Sequence, residues 1–361
     1  MKRMAHTLLR FGLLAACLLL YASHAMADEL KDDERVMLLP SIAREHSPAQ
    51  WDISIEAWVY ELEDRPGTTT LFARYLGLDL RAMNASEREL FISRTQLFRV
   101  DSEGGKVLRI RFPAGDIHAL PRTAGNGRSS AKLRISSSST GDDAWQRFDA
   151  LDRASRVVAQ GRALRVPEHG LSVISDIDDT IKHSVVRDRK ELLLNTFARP
   201  FAAAPGMAKR YQELINDNAS VRFHYVSSSP IQLYPPLHGF LVEAGFPEGS
   251  MHLRETTSLR GFIQRGASRR HKQSVIAQLL KDFPQRKFVL IGDSGEADPE
   301  IYAEFARDHA DQIVAIAIRD VTNESASAAR YAQTFRNIPR ERWQIFDDPN
   351  EWLFTSIATQ P

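Results

Sequence analysis

The chain has a single cysteine, Cys17, no surplus of charge and only one extended apolar run near its start. One thiol cannot form an intrachain disulfide, so the fold must hold without one. With 47 Lys+Arg against 46 Asp+Glu, the formal net charge is +1, which argues against a broad nucleic-acid footprint. The apolar run, Phe11–Ala22, is too short to span a bilayer comfortably. There is no internal repeat.

What is present begins with a leader pattern. Lys2, Arg3 and Arg10 precede the apolar run, and Ser-His-Ala25-Met-Ala27 follows it, ahead of Asp28-Glu29. A basic head, a short apolar middle and small residues at the minus-three and minus-one positions form a cleaved secretory signal. Residues 1–27 are therefore expected to be removed, and the protein to be exported, periplasmic or secreted, with no transmembrane helix in the mature chain. Leu14-Ala15-Ala16-Cys17 offers a competing signal, lipoprotein attachment at Cys17, but leaves only Phe11–Ala16 as apolar core. Cleavage after Ala27 would remove Cys17, and a chain without thiols suits an oxidising compartment. It would also remove three basic residues and no acid, tipping the balance slightly acidic. The remaining length suggests two domains.

The texture divides near residue 170. From Trp51 to Val59 alternate residues are apolar, which predicts a half-buried strand. Shorter alternations occur at Val107–Phe112 and Ala131–Ile135, with a weaker one at Arg156–Val166, separated by turn-rich runs. Residues 71–95 are a helical exception, with Leu71, Tyr75, Leu78 and Leu90 as expected apolar anchors. Residues 28–168 thus read as a small β-rich, sandwich-like domain. After it, residues 169–361 read as an α/β domain with a parallel sheet. Strands are predicted at Leu171–Ser175, Val221–Val226, Phe288–Ile291 and Ile313–Ile318. Helices are predicted around Ala204–Asn216, Gln232–Ala244, Lys272–Asp282 and Pro299–His309.

The chemistry sits where these elements end. The first strand runs into Asp176-Ile-Asp178-Asp-Thr180, placing two carboxylates and a hydroxyl where ligands bind an open α/β sheet. One such carboxylate can attack an electrophile while its neighbour exchanges a proton with the leaving group. The second strand ends in Ser227-Ser-Ser-Pro230, a cation (Lys272) enters the next long helix, and the third strand ends in Gly292-Asp293-Ser-Gly-Glu-Ala-Asp298. Each has an ordinary alternative: an acidic turn or helix cap, a turn-forming serine, a solvated lysine, a plain loop. All four in this order on alternating strands and helices are hard to obtain by accident.

In that order the residues resemble the four motifs of the haloacid dehalogenase superfamily of phosphatases. The wording Ser175-Asp-Ile-Asp-Asp-Thr-Ile-Lys-His-Ser184, Tyr225-Val-Ser-Ser-Ser-Pro230 and Ile291-Gly-Asp-Ser-Gly-Glu-Ala-Asp298 is closer still to the actin-patch-type phosphatidate phosphatase family, over roughly residues 170–325. The resemblance extends loosely to the β-rich half that precedes the catalytic domain in bacterial members. It implies a three-layer Rossmann-like domain of haloacid-dehalogenase type. It further implies Asp176 as the nucleophile forming an aspartyl-phosphate, and Asp178 as the acid and then the base. Mg²⁺ would be held by the carboxylates of Asp176 and Asp293 and the backbone carbonyl of Asp178, with Asp298 in support. Ser227 and Lys272, with Thr180, would bind the substrate phosphate. Where the superfamily loop has Gly this chain has Asp179, as the closer family does; support of the metal or a helix cap is expected for it. A metal and a lysine opposite a nucleophile are what phosphoryl transfer needs. The carboxylate at Asp178 favours a hydrolase over an enzyme that keeps its phosphorylated aspartate.

The intervals Thr180–Ser227 and Pro230–Lys272 are short for an inserted cap domain, so an open site is expected. That suits a lipid phosphate presented at a membrane surface. The second interval holds Arg254, Arg260, Arg265, Arg269 and Arg270 with Phe262 and Ile263. Such a loop can attract anionic headgroups and dip into the interface, or be a solvated loop with a core-facing Phe. The alternatives carried forward are an exported phosphatase for soluble or protein phosphomonoesters and a catalytically idle envelope binding module.

Overall fold

A computed structural model describes residues 28–63, 67–136, 144–218, 220–255 and 267–351. The expected leader, with Cys17, and the loop residues Arg260, Phe262, Ile263 and Arg265 lie outside them. Among the described residues, 28–43, 49–63 and 100–163 cluster as one compact unit, and 44–48, 67–99 and 164 onward as another. The helical segment thus groups with the second unit rather than with the strands that flank it in sequence.

The strands of the first half are β1 (Glu34–Leu38), β2 (Ser41–Ser47), β3 (Gln50–Leu62), β4 (Val100–Ser102), β5 (Arg109–Arg111), β6 (Ile117–Ala119), β7 (Arg128–Ser136), β8 (Trp145–Leu151) and β9 (Val157–Val166). They form one sheet of order β1-β3-β2-β9-β8-β5-β6, with β4 and β7 also on β3. β1, β4 and β7 run antiparallel to β3. The alternation read in β3 is realised: Ile53, Ile55, Ala57 and Val59 are buried with Ile110, Phe112 and Phe148, while Ser54 is exposed. Each such side chain contributes about 1.5–3 kcal/mol when fully buried. Gly161 lets two strands approach, since a Cβ there would lie 2.4 Å from the Phe148 ring.

In the second unit, α1 (Thr68–Leu76) and α2 (Ala85–Thr95) come first. Gly77, at φ 77°, stops α1, and Asn84 starts α2 with a reciprocal capping box to Glu87. Of the expected anchors Leu78 is buried, but Leu71 and Tyr75 are corrected here, being 68% and 40% exposed. Two short helices replace one continuous one, and the buried face is that of Phe72, Ala73, Leu76 and Phe91. Phe72 and Phe98 pack on Phe197 with ring centroids 6.1 and 5.8 Å away.

Six strands follow: β10 (Leu171–Ser175), β11 (Arg222–Pro230), β12 (Gly249–Arg254), β13 (Lys287–Asp293), β14 (Ile313–Arg319) and β15 (Trp343–Phe346). All five neighbouring pairs are parallel. Every residue of β10 is buried, as a strand covered on both faces requires. The helices between them are α3 (Arg189–Phe197), α4 (Met207–Asp217), α5 (Tyr234–Glu243), α6 (Ala267–Asp282), α7 (Asp298–Asp308) and α8 (Ala329–Thr334). α6 begins five residues earlier than predicted, so Lys272 lies inside the helix and not at its entry. The order β12-β11-β10-β13-β14-β15 grows outward both ways from the central pair β10 and β13. Their carboxyl ends flank the switch point where open sheets bind ligands. No helix among the described residues is long and apolar enough to cross a membrane.

Arg286 fastens the opposite end of β10. Its guanidinium is fully buried and donates to the carbonyls of Pro167, His169, Leu171 and Ser220 and to Ser172 Oγ. Replacing Arg286 by Met removes the donor that these acceptors share. The expected outcome is a loss of about 3–5 kcal/mol in urea unfolding, and a loss below about 1 kcal/mol would show that the acceptors find water instead.

Candidate active site

β10 delivers the first carboxylate. Asp176 N donates to Ile291 O at 2.9 Å, and the chain then folds back, with Ile181 N and Lys182 N both on Ile177 O. This tight turn brings Thr180 Oγ1 to Asp176 Oδ2 at 3.0 Å. The turn forces Asp179 to φ 57°, an uncommon conformation that Asp tolerates better than most residues. Its carboxylate accepts the backbone N–H groups of Ser184, Val185 and Val186, at 2.7–2.8 Å. Asp179 is therefore the clamp of the following loop, neither a helix cap nor a member of the acidic cluster described below.

β13 delivers the second set. Asp293 Oδ1 accepts from Gly295 N and Glu296 N at 2.7 and 3.1 Å, while its buried Oδ2 has no partner among the described residues. Asp298 opens α7 beside it, and only glycine permits the approach. A Cβ on Gly292 would stand 2.3 Å from Asp298 Oδ2. From α6, the buried Lys272 Nζ reaches Asp176 Oδ1 at 2.9 Å, Asp298 Oδ1 at 2.6 Å and Glu296 Oε2 at 2.9 Å. Asp176, Asp293 and Asp298 each offer a carboxylate oxygen within 4.8 Å of one another, a set that could hold a divalent cation.

Asp178 occupies a separate compartment. Its Oδ1 takes Lys182 Nζ at 2.8 Å and Ser184 Oγ at 2.7 Å. Its Oδ2 takes Ser227 Oγ at 3.1 Å and Ser229 Oγ at 3.2 Å. Each aspartate thus has its own buried lysine: Lys272 for Asp176, Lys182 for Asp178. Sequence reasoning singled out Asp176, Asp178, Thr180, Ser227, Lys272, Asp293 and Asp298, and the fold brings all seven to one end of the sheet. Lys182, Ser184, Ser229 and Glu296 were missed as site residues, although Lys182 stands four residues after Asp178 in the same motif.

The electrostatics divide the two carboxylates. Burial pushes Asp176 well above the usual carboxylate range; Lys272 pulls it down, and Asp298, Asp293 and Glu296 push it further up. Burial and Asp298 likewise raise Asp293. Lys272 is raised, because the carboxylates around it outweigh the burial of its charge. Burial would also raise Asp178, but the Lys182 charge and hydrogen bonds from Lys182, Ser184 and Ser227 prevail and hold it at about 2. Asp178 rests as a carboxylate at neutral pH. Both aspartates open onto a cavity of about 240 Å³ whose far wall is α3.

The depressed Asp178 carboxyl stabilises the fold fully above its ordinary value of 3.8, and this contribution is lost as pH falls towards about 2. Lys182→Met strands the carboxylate and is expected to cost about 3 kcal/mol at neutral pH. The gap to wild type should narrow as the medium is acidified below that ordinary value. Urea unfolding across that range checks it; a gap independent of pH would mean that Lys182 does not hold Asp178 down.

Residues 171–320 match the model of the family described as "Phosphatidate phosphatase APP1, catalytic domain". The chain is 38% identical over 198 residues to phosphatidate phosphatase APP1 of Saccharomyces cerevisiae, covering 54% of this chain and 33% of that protein. It is 35% identical over 174 residues to an uncharacterized protein of Schizosaccharomyces pombe, covering 47% of this chain and 28% of that one. The chain therefore spans only about a third of the length of these curated relatives. The match begins at the first residue of β10 and ends just past β14, so it contains every strand end that carries a carboxylate, serine or lysine of the site. The likeness to the phosphatidate phosphatase APP1 catalytic-domain family thus lies over residues 171–320.

Proposed function

We propose that this protein is a Mg²⁺-dependent phosphoric monoester hydrolase acting on phosphatidate or related lipid phosphates at a membrane surface. The observation that carries the chemistry is the buried constellation of Asp176, Lys272, Asp293 and Asp298 beside a separately held Asp178. The lipid assignment rests on the family match of residues 171–320. The strand order around β10 and β13 supports a three-layer domain of haloacid-dehalogenase type, and the sheet of β1–β9 supports a β-rich domain within residues 28–168, from which the helical residues 67–99 depart. The leader pattern extends the proposal to an exported enzyme, periplasmic or secreted.

In the proposed reaction a carboxylate oxygen of Asp176 attacks phosphorus, and the bond from phosphorus to the leaving oxygen breaks. Asp178 supplies the proton that the leaving oxygen takes up. Asp178 rests ionised, so it acquires that proton when the phosphate dianion enters and, as a like charge, raises its affinity for one. In the second step Asp178 accepts a proton from water as the water attacks the aspartyl-phosphate. Inorganic phosphate leaves and Asp176 is restored. Lys272 and Ser227 neutralise and orient the phosphoryl oxygens, and Thr180 fixes the rotamer of Asp176 through its hydrogen bond.

The carboxylates of Asp176, Asp293 and Asp298 and the backbone carbonyl of Asp178 would hold Mg²⁺. The donor set fits a hard cation that prefers oxygen ligands, because four acidic groups surround one lysine and Asp293 Oδ2 has no other partner among the described residues. When bound, the ion offsets negative charge on the transferring phosphoryl group.

The test is phosphate release from phosphatidate in detergent micelles, with Mg²⁺ or EDTA, by wild type and Asp176→Asn. Release that needs Mg²⁺ and falls at least about a thousandfold in the variant is expected. Hydrolysis of p-nitrophenyl phosphate alone would discard the lipid and keep the chemistry; silence on both would favour a binding module. In thermal unfolding, Mg²⁺ at about a hundred times its Kd should add about 2.7 kcal/mol to wild type and little to Asp293→Asn. Equal gains in both would remove Asp293 from the metal site.

A further inference from the structure

An ammonium group has three N–H donors, and in Lys272 all three are taken. The acceptors are Asp176 Oδ1 at 2.9 Å, Asp298 Oδ1 at 2.6 Å and Glu296 Oε2 at 2.9 Å. They are not held alike. The Asp176 and Asp298 side chains are 2% and 0% exposed. Thr180 fixes the first, and the second is packed against Gly292. The Glu296 side chain is 29% exposed and lines the cavity over the two aspartates. Its backbone, by contrast, is pinned. Glu296 N donates to Asp293 Oδ1 at 3.1 Å, and Arg330 Nη2 of α8 donates to Glu296 O at 3.2 Å. The same guanidinium reaches Ser294 O at 2.8 Å and pairs with Glu300 at 3.0 Å. Glu296 is therefore a fixed stem whose carboxylate, alone of the three, can leave Lys272 by rotating into the cavity.

The proposed reaction needs Lys272 to bind a phosphoryl oxygen, and that oxygen requires one of the three N–H groups. Asp176 cannot give way without moving the nucleophile, and the buried Asp298 has nowhere to go. We propose that Glu296 is a latch on the phosphate site: its carboxylate holds the Lys272 N–H that the substrate phosphate takes, swings out as phosphate binds, and returns to expel inorganic phosphate. This rests on the phosphatase reading above and adds a residue that sets the affinity for the phosphate group. Two effects act in the same direction. A latch closed about nine-tenths of the time weakens apparent phosphate binding about tenfold. Once displaced, the carboxylate stays close to a dianion, and like charges at short range repel. The arrangement suits a hydrolase. Tight binding of the phosphate group in substrate and transition state alike does not raise kcat, and a lysine without the latch would hold the product dianion through a charge-assisted hydrogen bond.

The experiment titrates inorganic phosphate calorimetrically into wild type, Glu296→Gln, Glu296→Ala and Glu304→Gln with Mg²⁺ present, and measures phosphate inhibition of p-nitrophenyl phosphate hydrolysis by the same proteins. Both Glu296 variants should bind phosphate about tenfold more tightly than wild type, with Ki and KM lowered in step. Glu304→Gln removes an exposed acid of α7 that pairs with Arg269, and should leave the Kd within about twofold of wild type. A gain in affinity is the diagnostic sign, because loss of a residue that only supports the fold weakens binding. Unchanged or weaker phosphate binding in both Glu296 variants, while wild type hydrolyses the ester, overturns the latch and leaves the phosphatase reading standing. An equal gain in Glu304→Gln overturns it too, since the effect would then follow net charge. Wild type that neither binds phosphate nor hydrolyses an ester overturns both.

Discussion

Lys272 is the interaction on which the site depends. Three buried aspartates and a glutamate converge at the ends of β10 and β13, and in a dry interior their mutual repulsion would open the sheet. The ammonium group of Lys272, reached from α6, bonds three of the four at 2.6–2.9 Å. It does not neutralise them all. Burial, together with the excess of negative charge, raises Asp176 and Asp293, and one oxygen of Asp293 finds no donor among the described residues. That residual charge is a cost to the folded protein, and it is also the attraction that a divalent cation would satisfy.

Against this strained half stands a relaxed one. Asp178 has a donor for each lone-pair direction it presents, from Lys182, Ser184, Ser227 and Ser229. Asp179, two hydrogen-bonding shells away in effect but adjacent in sequence, holds the loop that carries Ser184. One turn thus gives two neighbouring carboxylates opposite tendencies, one raised and one depressed. These shifts run opposite to the proposed roles, in which the nucleophile is ionised and the acid protonated, so a bound cation and substrate phosphate would have to reverse both.

Much of this was legible before any coordinates. Leu171–Ser175 is uniformly apolar or small, and a run of that kind ending in acid reads as a covered strand with its chemistry at the tip. The alternation of Ile53, Ile55, Ala57 and Val59 likewise announced β3. The edge strands were not legible: β12 mixes Gly249, His252 and Arg254 with its apolar residues, and β15 is four residues long. Such strands are stabilised by the neighbour they pair with rather than by their own pattern. Leu71 and Tyr75 misled for a related reason. Periodicity within a helix states which residues share a face, but not which face finds a partner. Phe72 found Phe197, far away in sequence.

The amino-acid sequence by itself determined which residues are candidates for the site: the acid pair after β10, the serines at the end of β11, the lysine on α6, and the acids at and beyond the end of β13. Local rules of strand ends and turns are enough for the carboxylates and serines, because each sits at a boundary its own segment defines; Lys272, inside α6, does not. Only the tertiary structure decided how these residues combine. It gave Asp178 a lysine of its own, set Gly292 against Asp298, and brought residues 67–99 behind α3 to build a wall. Those are contacts between segments distant in the chain, where burial and charge, rather than local conformation, choose the partner.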